Sequence, residues 1–446
     1  MKTLRIAFAS ACCALLLAAC GQGDPPPADN FGSQPSLPAP QSSMIPTAHF
    51  STATPWPDGT GPQAPRGFFV YPFAKNLDHP RWLYVLPNGD VLAAESTTLK
   101  TEPHGLMERI GYYLMRNDGS RGESADTIVL LRDANEDSVA ETKTVFLKDK
   151  VKQPFGMALV GNTLYVAGTG GVWAFDYHDG DLALKGDGKK IMDLPVGGYN
   201  NHWTRNIVAS EDGKMLFVTV GSGSNVGENG ADNEKRRANV IQINLDGSNE
   251  HIFTSGTRNP NGLAYEPTTH VLWTVVNERD MLGDDLVPDY LTRVQDGDFY
   301  GWPWSYWGKH VDDRVTPQNP AMVAKAIAPD YALGAHTASL GLVFYTGDKF
   351  PAQYNGAAFI TQHGSWNRSY FTGFKVVYVR FKDGMPFGAP QDFLTGFMPD
   401  PTTGIAHGRP VGIVQDKRGG LLVADDTGGV VWRVAAAPII PPSRMY

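Results

Sequence analysis

Apolar and polar positions alternate along this chain in short bursts, without the longer wave of an amphipathic helix. From about Gly67 onward one order recurs: a polar or proline-bearing loop, a short apolar run, a turn and a second apolar run. His79-Pro80 leads into Arg81-Trp82-Leu83-Tyr84-Val85, Asn88-Gly89 turns the chain, and Val91-Leu92-Ala93 follows. Similar units begin at Gln153-Pro154, Trp203, Asn259-Pro260, Ser339 and Arg409-Pro410. Short apolar runs bounded by turn residues predict strands, and Asn-Gly or Asp-Gly between two such runs predicts a tight hairpin. The units recur every ~50–80 residues, the length of a four-stranded blade with its loops. The pattern therefore predicts an all-β chain, a six-bladed β-propeller with four-stranded antiparallel blades over residues 67–436. An irregular sandwich with chance similarity among its hairpins is the alternative. In a propeller, the loops entering the inner strands gather at one end of the central channel. Gln153, His202, Arg258 and Arg409 sit in such loops and are expected to converge.

The N-terminus reads differently. Lys2 and Arg5, the apolar run from Ile6 to Leu17, and Ala18-Ala19 form an export signal over residues 1–19. The apolar core is too short to span a membrane, which takes about 20 residues. Leu17-Ala18-Ala19-Cys20 resembles a bacterial lipobox, in which Cys20 is lipidated; an ordinary cleaved signal is the alternative. Gly21, not an acidic residue, follows Cys20, and by resemblance to lipoprotein sorting this favours the outer membrane, with the protein facing the periplasm. Residues 20–66 are rich in Pro, Ser, Gly and Ala and read as a disordered or extended linker, which with a lipid makes a flexible stalk. Residues 437–446 read as a C-terminal tail.

Composition narrows the function classes. With 49 Gly, 33 Pro and 19% charged residues, the chain suits many strands and tight turns. A net charge of −8 argues against a nucleic-acid partner, which needs clustered Lys and Arg. The three cysteines, Cys12, Cys13 and Cys20, all lie at the N-terminus. The folded region thus has no disulfide, thiolate metal site or attached c-type haem, and redox chemistry there needs another cofactor.

Several loops carry reactive groups. His202, in Asn200-Asn201-His202-Trp203-Thr204-Arg205, offers a neutral imidazole suited to a general base; a loop histidine bonding a carbonyl is the plain alternative. Arg258-Asn259-Pro260-Asn261 offers a guanidinium fork for a planar anion or a developing oxyanion; an arginine pinning loops through carbonyl hydrogen bonds is the plain alternative. Asn277-Glu278-Arg279-Asp280 with Gly283-Asp284-Asp285 forms an acidic loop suited to a hard cation such as Ca²⁺. Asp133 to Asp137 is a second acidic loop that reads better as a solvated turn. His363-Gly364-Ser365-Trp366-Asn367-Arg368 adds a base, an aromatic and a cation, and Arg409 another cation. Several cations around one channel imply an anionic ligand.

Asn201-His202, Gly256-Thr257-Arg258-Asn259-Pro260-Asn261-Gly262-Leu263, Gly297-Asp298-Phe299-Tyr300-Gly301-Trp302-Pro303 and Arg409-Pro410-Val411-Gly412-Ile413 together resemble the soluble glucose dehydrogenase and L-sorbosone dehydrogenase family. Val220 to Asn225 and His363 to Arg368 resemble the sorbosone branch more closely. The resemblance covers essentially residues 67–436. It implies a six-bladed propeller that binds pyrroloquinoline quinone (PQQ) with Ca²⁺ and oxidises a sugar at C1, passing hydride to the quinone. On this resemblance His202 is the catalytic base, and Arg258 and Asn259 touch the quinone oxygens. Asn261 stands where the glucose enzymes have Gln. Gln153 matches a substrate-side Gln. Arg279 and Asp280 fall where backbone carbonyls hold Ca²⁺. His363 or Arg368 replaces the family's Lys, and Arg409 alone stands for a pair of arginines in the last blade. The implied partners are a small sugar and an external electron acceptor, a quinone or cytochrome, with membrane contact only through the lipid. A metal-dependent sugar lactonase and a non-catalytic binding propeller are the rival readings.

Overall fold

The computed structural model describes residues 23–41, 47–98, 113–119, 122–197 and 200–437. Among them, six antiparallel sheets of four strands stand around a central channel, some with an added edge strand. Blade 1 comprises Pro80–Val85, Val91–Glu95, Thr127–Arg132 and Thr142–Lys148. Blade 2 comprises Pro154–Val160, Thr163–Gly168, Gly171–Asp176 and Lys189–Asp193. Blades 3, 4 and 5 open with the inner strands Ile207–Ala209, Asn259–Tyr265 and Ser339–Phe344. Blade 6 comprises Pro410–Gln415, Leu421–Asp425, Val430–Ala436 and, as its outer strand, Phe68–Ala74 from before blade 1. Phe68 pairs with Ala436, so the start of the domain closes the ring onto its end.

The continuous apolar runs follow from this arrangement, because each sheet is buried on both faces and successive side chains point to opposite ones. Val91 and Ala93 pack toward blade 6, while Leu92 and Ala94 pack toward blade 2. Leu421 and Val423 face blade 5, while Leu422 and Ala424 face blade 1. Each fully buried Val or Leu among them contributes about 1.5–3 kcal/mol.

Near the channel the inner strands crowd one another, and glycine answers the crowding. A Cβ on Gly156 would lie 2.4 Å from the Ile207 nitrogen, and one on Gly341 would lie 2.4 Å from the Val411 carbonyl oxygen. Gly262 and Gly412 meet the backbone of the next blade in the same way, at 2.7 and 2.8 Å. Each glycine falls where its strand slips register against the second strand, as between Pro154 and Met157. Glycine here serves close backbone approach at a bulge.

The described part of the Pro-rich N-terminal segment is extended, but it is no free stalk: it is held against the propeller at several points. Phe31–Gly32 adds an edge strand to blade 4, pairing Phe31 with Leu333. Thr52–Ala53 pairs in parallel with Ile405–Ala406, and Gln63 bridges Thr395. Trp56 donates to the buried Asp425 at 2.8 Å and packs edge-on against Trp432. This strap uses backbone pairing and single anchors, so it needs no apolar periodicity of its own. Cys20 and the signal lie outside the described residues.

Candidate active site

The loops entering the inner strands and those leaving the second strands open at one end of the channel, around a cavity of about 480 Å³. Gln153, His202, Arg258, Asp280, His363 and Arg409 all line it, although they come from separate loops between positions 153 and 409. Their convergence follows from the ring. The backbone is strained at the same point of three blades: His79, Gln153 and Ala338, each just before an inner strand, have φ of +52°, +47° and +51°. Such conformations cost about 1–3 kcal/mol each and persist only where the surroundings impose them.

On one wall, His202 Nδ1 lies 2.8 Å from the Ser222 carbonyl and 3.0 Å from the Ser222 hydroxyl. Burial, and next the charge of Arg258, lowers its pKa to about 3, so the imidazole is neutral over the physiological range. Arg258 is itself tightly held. It donates to the Asn225 carbonyl and side chain, to the Glu278 carbonyl at 2.5 Å, and to the Asp280 carboxylate at 2.9 Å. Four of its five N–H groups are thereby committed. Asn225 also accepts from the Asp280 backbone N–H at 2.9 Å, and its carbonyl accepts from Trp302 of the Tyr-Gly-Trp-Pro motif at 3.0 Å.

Asp280 presents its carboxylate to the cavity, not its carbonyl. That carbonyl accepts from Arg314 at 2.8 Å and from Asn225 at 3.2 Å, so the expected backbone ligand is engaged elsewhere. Burial would raise the Asp280 carboxyl, but Arg258 and His336 outweigh it and hold it below the usual range. The Arg279 side chain turns away from the cavity into a buried pair with Glu278 at 2.9 Å and Asp312 at 3.2 Å. His336 was not singled out from sequence. It lines the cavity with Nδ1 3.4 Å from Asp280 and Nε2 2.9 Å from the Gly283 carbonyl. It lies three residues before the inner strand of blade 5, in an entering loop like those of Gln153, Arg258 and Arg409, and that loop position was the signal that could have found it.

The other wall joins three blades. His363 Nε2 is 2.9 Å from Asp426, whose same oxygen also takes Arg81. Burial, and next Arg409, lowers His363 to about 4. Arg409 donates to the His363 carbonyl at 3.0 Å and the Gly364 carbonyl at 3.2 Å, and lies 3.5 Å from Asp118. Gln153 donates through Nε2 to the Thr97 carbonyl at 2.7 Å, while its Oε1 is buried without a partner.

Arg368, Asn259 and Asn261 do not line the cavity. Arg368 is buried against the Asp284 carbonyl and Asp285, both at 2.6 Å, and holds the strap through the Asp24 carbonyl at 2.7 Å. Asn261 donates to Thr204 at 3.0 Å within the ring of inner strands. Asn259 is buried beneath Gly221, its Oδ1 unpartnered. In the second acidic loop, Asp133, Asp137 and Glu141 bring carboxylate oxygens within 4.8 Å of one another. Asp133 there accepts backbone N–H groups of Asp137 and Ser138, as a self-capped turn does.

Residues 179–365 match the sequence profile of the Glucose / Sorbosone dehydrogenase family, and residues 309–437 match a TrAA12-like profile. The chain is 30% identical over 166 residues to the aldose sugar dehydrogenase YliI of Escherichia coli, a stretch covering 37% of this chain and 40% of that one. The matched stretches span about 40–62% of the length of the curated relatives. Among solved structures, the holo form of the pyranose dehydrogenase PQQ domain from Coprinopsis cinerea superposes with a TM-score of 0.66 at 20% identity, covering 86% of this chain and 100% of that one. A calcium structure of a Trichoderma reesei carbohydrate-active enzyme of family AA12 gives 0.67 at 18% identity, covering 88% and 99%. The likeness to these two structures is one of fold.

Proposed function

We propose that this protein is a PQQ- and calcium-dependent dehydrogenase that oxidises an aldose or related sugar or aldehyde at C1, with His202 as general base. The observation that carries the reading is the meeting of a neutral, desolvated histidine with the Arg258 and Arg409 guanidinium groups in one cavity. The likeness to sugar dehydrogenases supports it.

The residues present fit both groups. A planar tricarboxylate finds the two arginines on the wall, and Arg258 keeps an N–H uncommitted. A hard cation finds one oxygen ligand of the type Ca²⁺ takes in the Asp280 carboxylate, which here pairs with Arg258 and His336. Pyrroloquinoline quinone supplies a two-electron acceptor when bound, and the protein's part is orientation and proton handling. His202 Nε2, which among the described residues has no hydrogen-bond partner, receives the proton of the substrate hydroxyl. Arg258, locked by Asn225 and Asp280, presents fixed positive charge where negative charge grows, at no cost in reorganisation. Gln153, oriented through Thr97, borders the cavity on the substrate side.

The test is titration with PQQ and Ca²⁺ followed by dye reduction with a panel of aldoses. Saturable binding with turnover on at least one aldose is expected. Absence of PQQ binding with Ca²⁺ present would overturn the reading and leave a lactonase or a binding propeller. We also propose that Cys20 is lipidated and anchors the propeller at the outer membrane, facing the periplasm. Cys20→Ser is expected to move the protein from membrane to soluble periplasmic fractions; unchanged membrane association would rule the anchor out.

A further inference from the structure

The loop that holds His202 is built from three consecutive residues and a carboxylate further along. Ser222 and Ser224 are fully buried. The Ser222 hydroxyl donates to the Ser224 carbonyl at 2.7 Å, so its hydrogen is committed and its oxygen meets His202 as an acceptor. His202 Nδ1 therefore faces two acceptors, the Ser222 carbonyl and the Ser222 hydroxyl oxygen. A nitrogen so placed carries the hydrogen, and the other nitrogen then keeps its lone pair.

This loop does not hold its shape alone. Glu234 accepts the Gly223 N–H at 2.7 Å and the Ser224 hydroxyl at 2.5 Å, filling both carboxylate oxygens. The Ser222 N–H donates to the Arg258 carbonyl at 2.7 Å, tying the loop to the strand that carries the cation. Just before it, a Cβ on Gly221 would come 2.5 Å from the His202 Cβ and 2.3 Å from the Asn259 Oδ1. The loop is thus pressed against the histidine's own stem on one side and braced by Glu234 on the other.

We propose that Ser222, braced by Glu234, is a positioning residue that sets the His202 tautomer, with hydrogen on Nδ1 and the lone pair of Nε2 aimed into the cavity. Neither residue touches the cavity; both act through His202. The inference rests on His202 being the base, and its test separates the two claims. Selective ¹⁵N-histidine labelling of the full-length protein, with His202 assigned by its loss in His202→Asn, reads the tautomer without any cofactor or turnover. In the wild type at neutral pH, hydrogen on Nδ1 is expected. Ser222→Ala removes the hydroxyl acceptor but keeps the carbonyl, and is expected to let a minor share of the other tautomer appear; Glu234→Ala releases the loop that carries both acceptors and is expected to let more of it appear. Turnover per bound PQQ is expected to fall roughly tenfold in each, the rate equivalent of one hydrogen bond, with KM little changed. Ser222→Thr, which keeps the hydroxyl, is expected to retain the wild-type tautomer. Hydrogen on Nε2 in the wild type, or a tautomer unmoved by both alanine variants, overturns the proposal even where His202→Asn abolishes turnover. A tautomer that responds as expected while His202→Asn turns over normally overturns the base instead.

Discussion

Two histidines face the same cavity from different blades, and their surroundings give them different work. Both are neutral for the same reason: burial, then a nearby arginine, takes His202 to about 3 and His363 to about 4. They differ in what ties them down. His202 is held at Nδ1 by neutral oxygens of one short loop, which leaves its other nitrogen open to the cavity. His363 is held at Nε2 by Asp426, a carboxylate that also takes Arg81. Arg81 belongs to blade 1, Asp426 follows the second strand of blade 6 and His363 follows the second strand of blade 5, so that cluster is a joint between three sheets. Burial would raise the Asp426 carboxyl, but His363 and Arg81 hold it well below the usual carboxylate range. His363 is tied into a joint between sheets through a shared carboxylate, whereas His202 is held by a carbonyl and a committed hydroxyl, and the exchange of each tests which of them acts as base.

The comparison is broken most directly by exchanging each histidine. His202→Asn is expected to lower turnover per bound PQQ by roughly 10²–10⁴, the usual share of a positioned base, with cofactor affinity little changed. His363→Asn is expected to keep most of the turnover and lose stability; the reverse ranking, measured per loaded site, would exchange the two assignments. The joint is probed by Asp426→Asn, which leaves Arg81 without its counter-charge in a buried setting. Loss of about 3–5 kcal/mol in urea unfolding is expected, against little change for His202→Asn. Arg409 is hydrogen-bonded to the His363 loop and also lines the cavity. Arg409→Ala is expected to weaken PQQ binding by about 1.5–3 kcal/mol in direct titration. A loss of stability with unchanged affinity would place Arg409 wholly in the joint.

The smallest effect concerns pH. The folded pKa of His202, about 3, lies below the ordinary histidine value of 6.5. The unfolded chain therefore takes up this proton first, and the histidine's contribution erodes stability as pH falls from 6.5 toward 3. His202→Asn is expected to flatten the fall of Tm across that window. Turnover is correspondingly expected to show no acid limb from His202 between pH 5 and 8. An acid limb there that disappears in His202→Gln, measured on the residual rate, would show that His202 titrates in the ordinary range.

What the sequence determined by itself was whatever local pattern encodes. Strands buried on both faces must be apolar at consecutive positions, so runs such as Val91–Ala94 and Leu421–Ala424 were legible, as were the Asn-Gly and Asp-Gly turns between strands. Six such units sufficed for the propeller, and the propeller sufficed to bring Gln153, His202, Arg258, Asp280, His363 and Arg409 to one cavity. The tertiary structure alone decided which way irregular segments point and what they bind. Phe68–Ala74 closes blade 6 because its unpaired edge meets Val430–Ala436, a pairing across the whole domain that no neighbouring residue encodes. Arg279 and Arg368 turned from the channel because carboxylates and carbonyls from distant loops, Asp312 and Asp24 among them, satisfy them first. The Asp280 carboxylate faces the cavity because Asn225, 55 positions earlier, and Arg314 take its carbonyl. Burial is written in periodicity, which is local; the direction of a loop side chain is set by hydrogen bonds between segments that only the closed ring brings together.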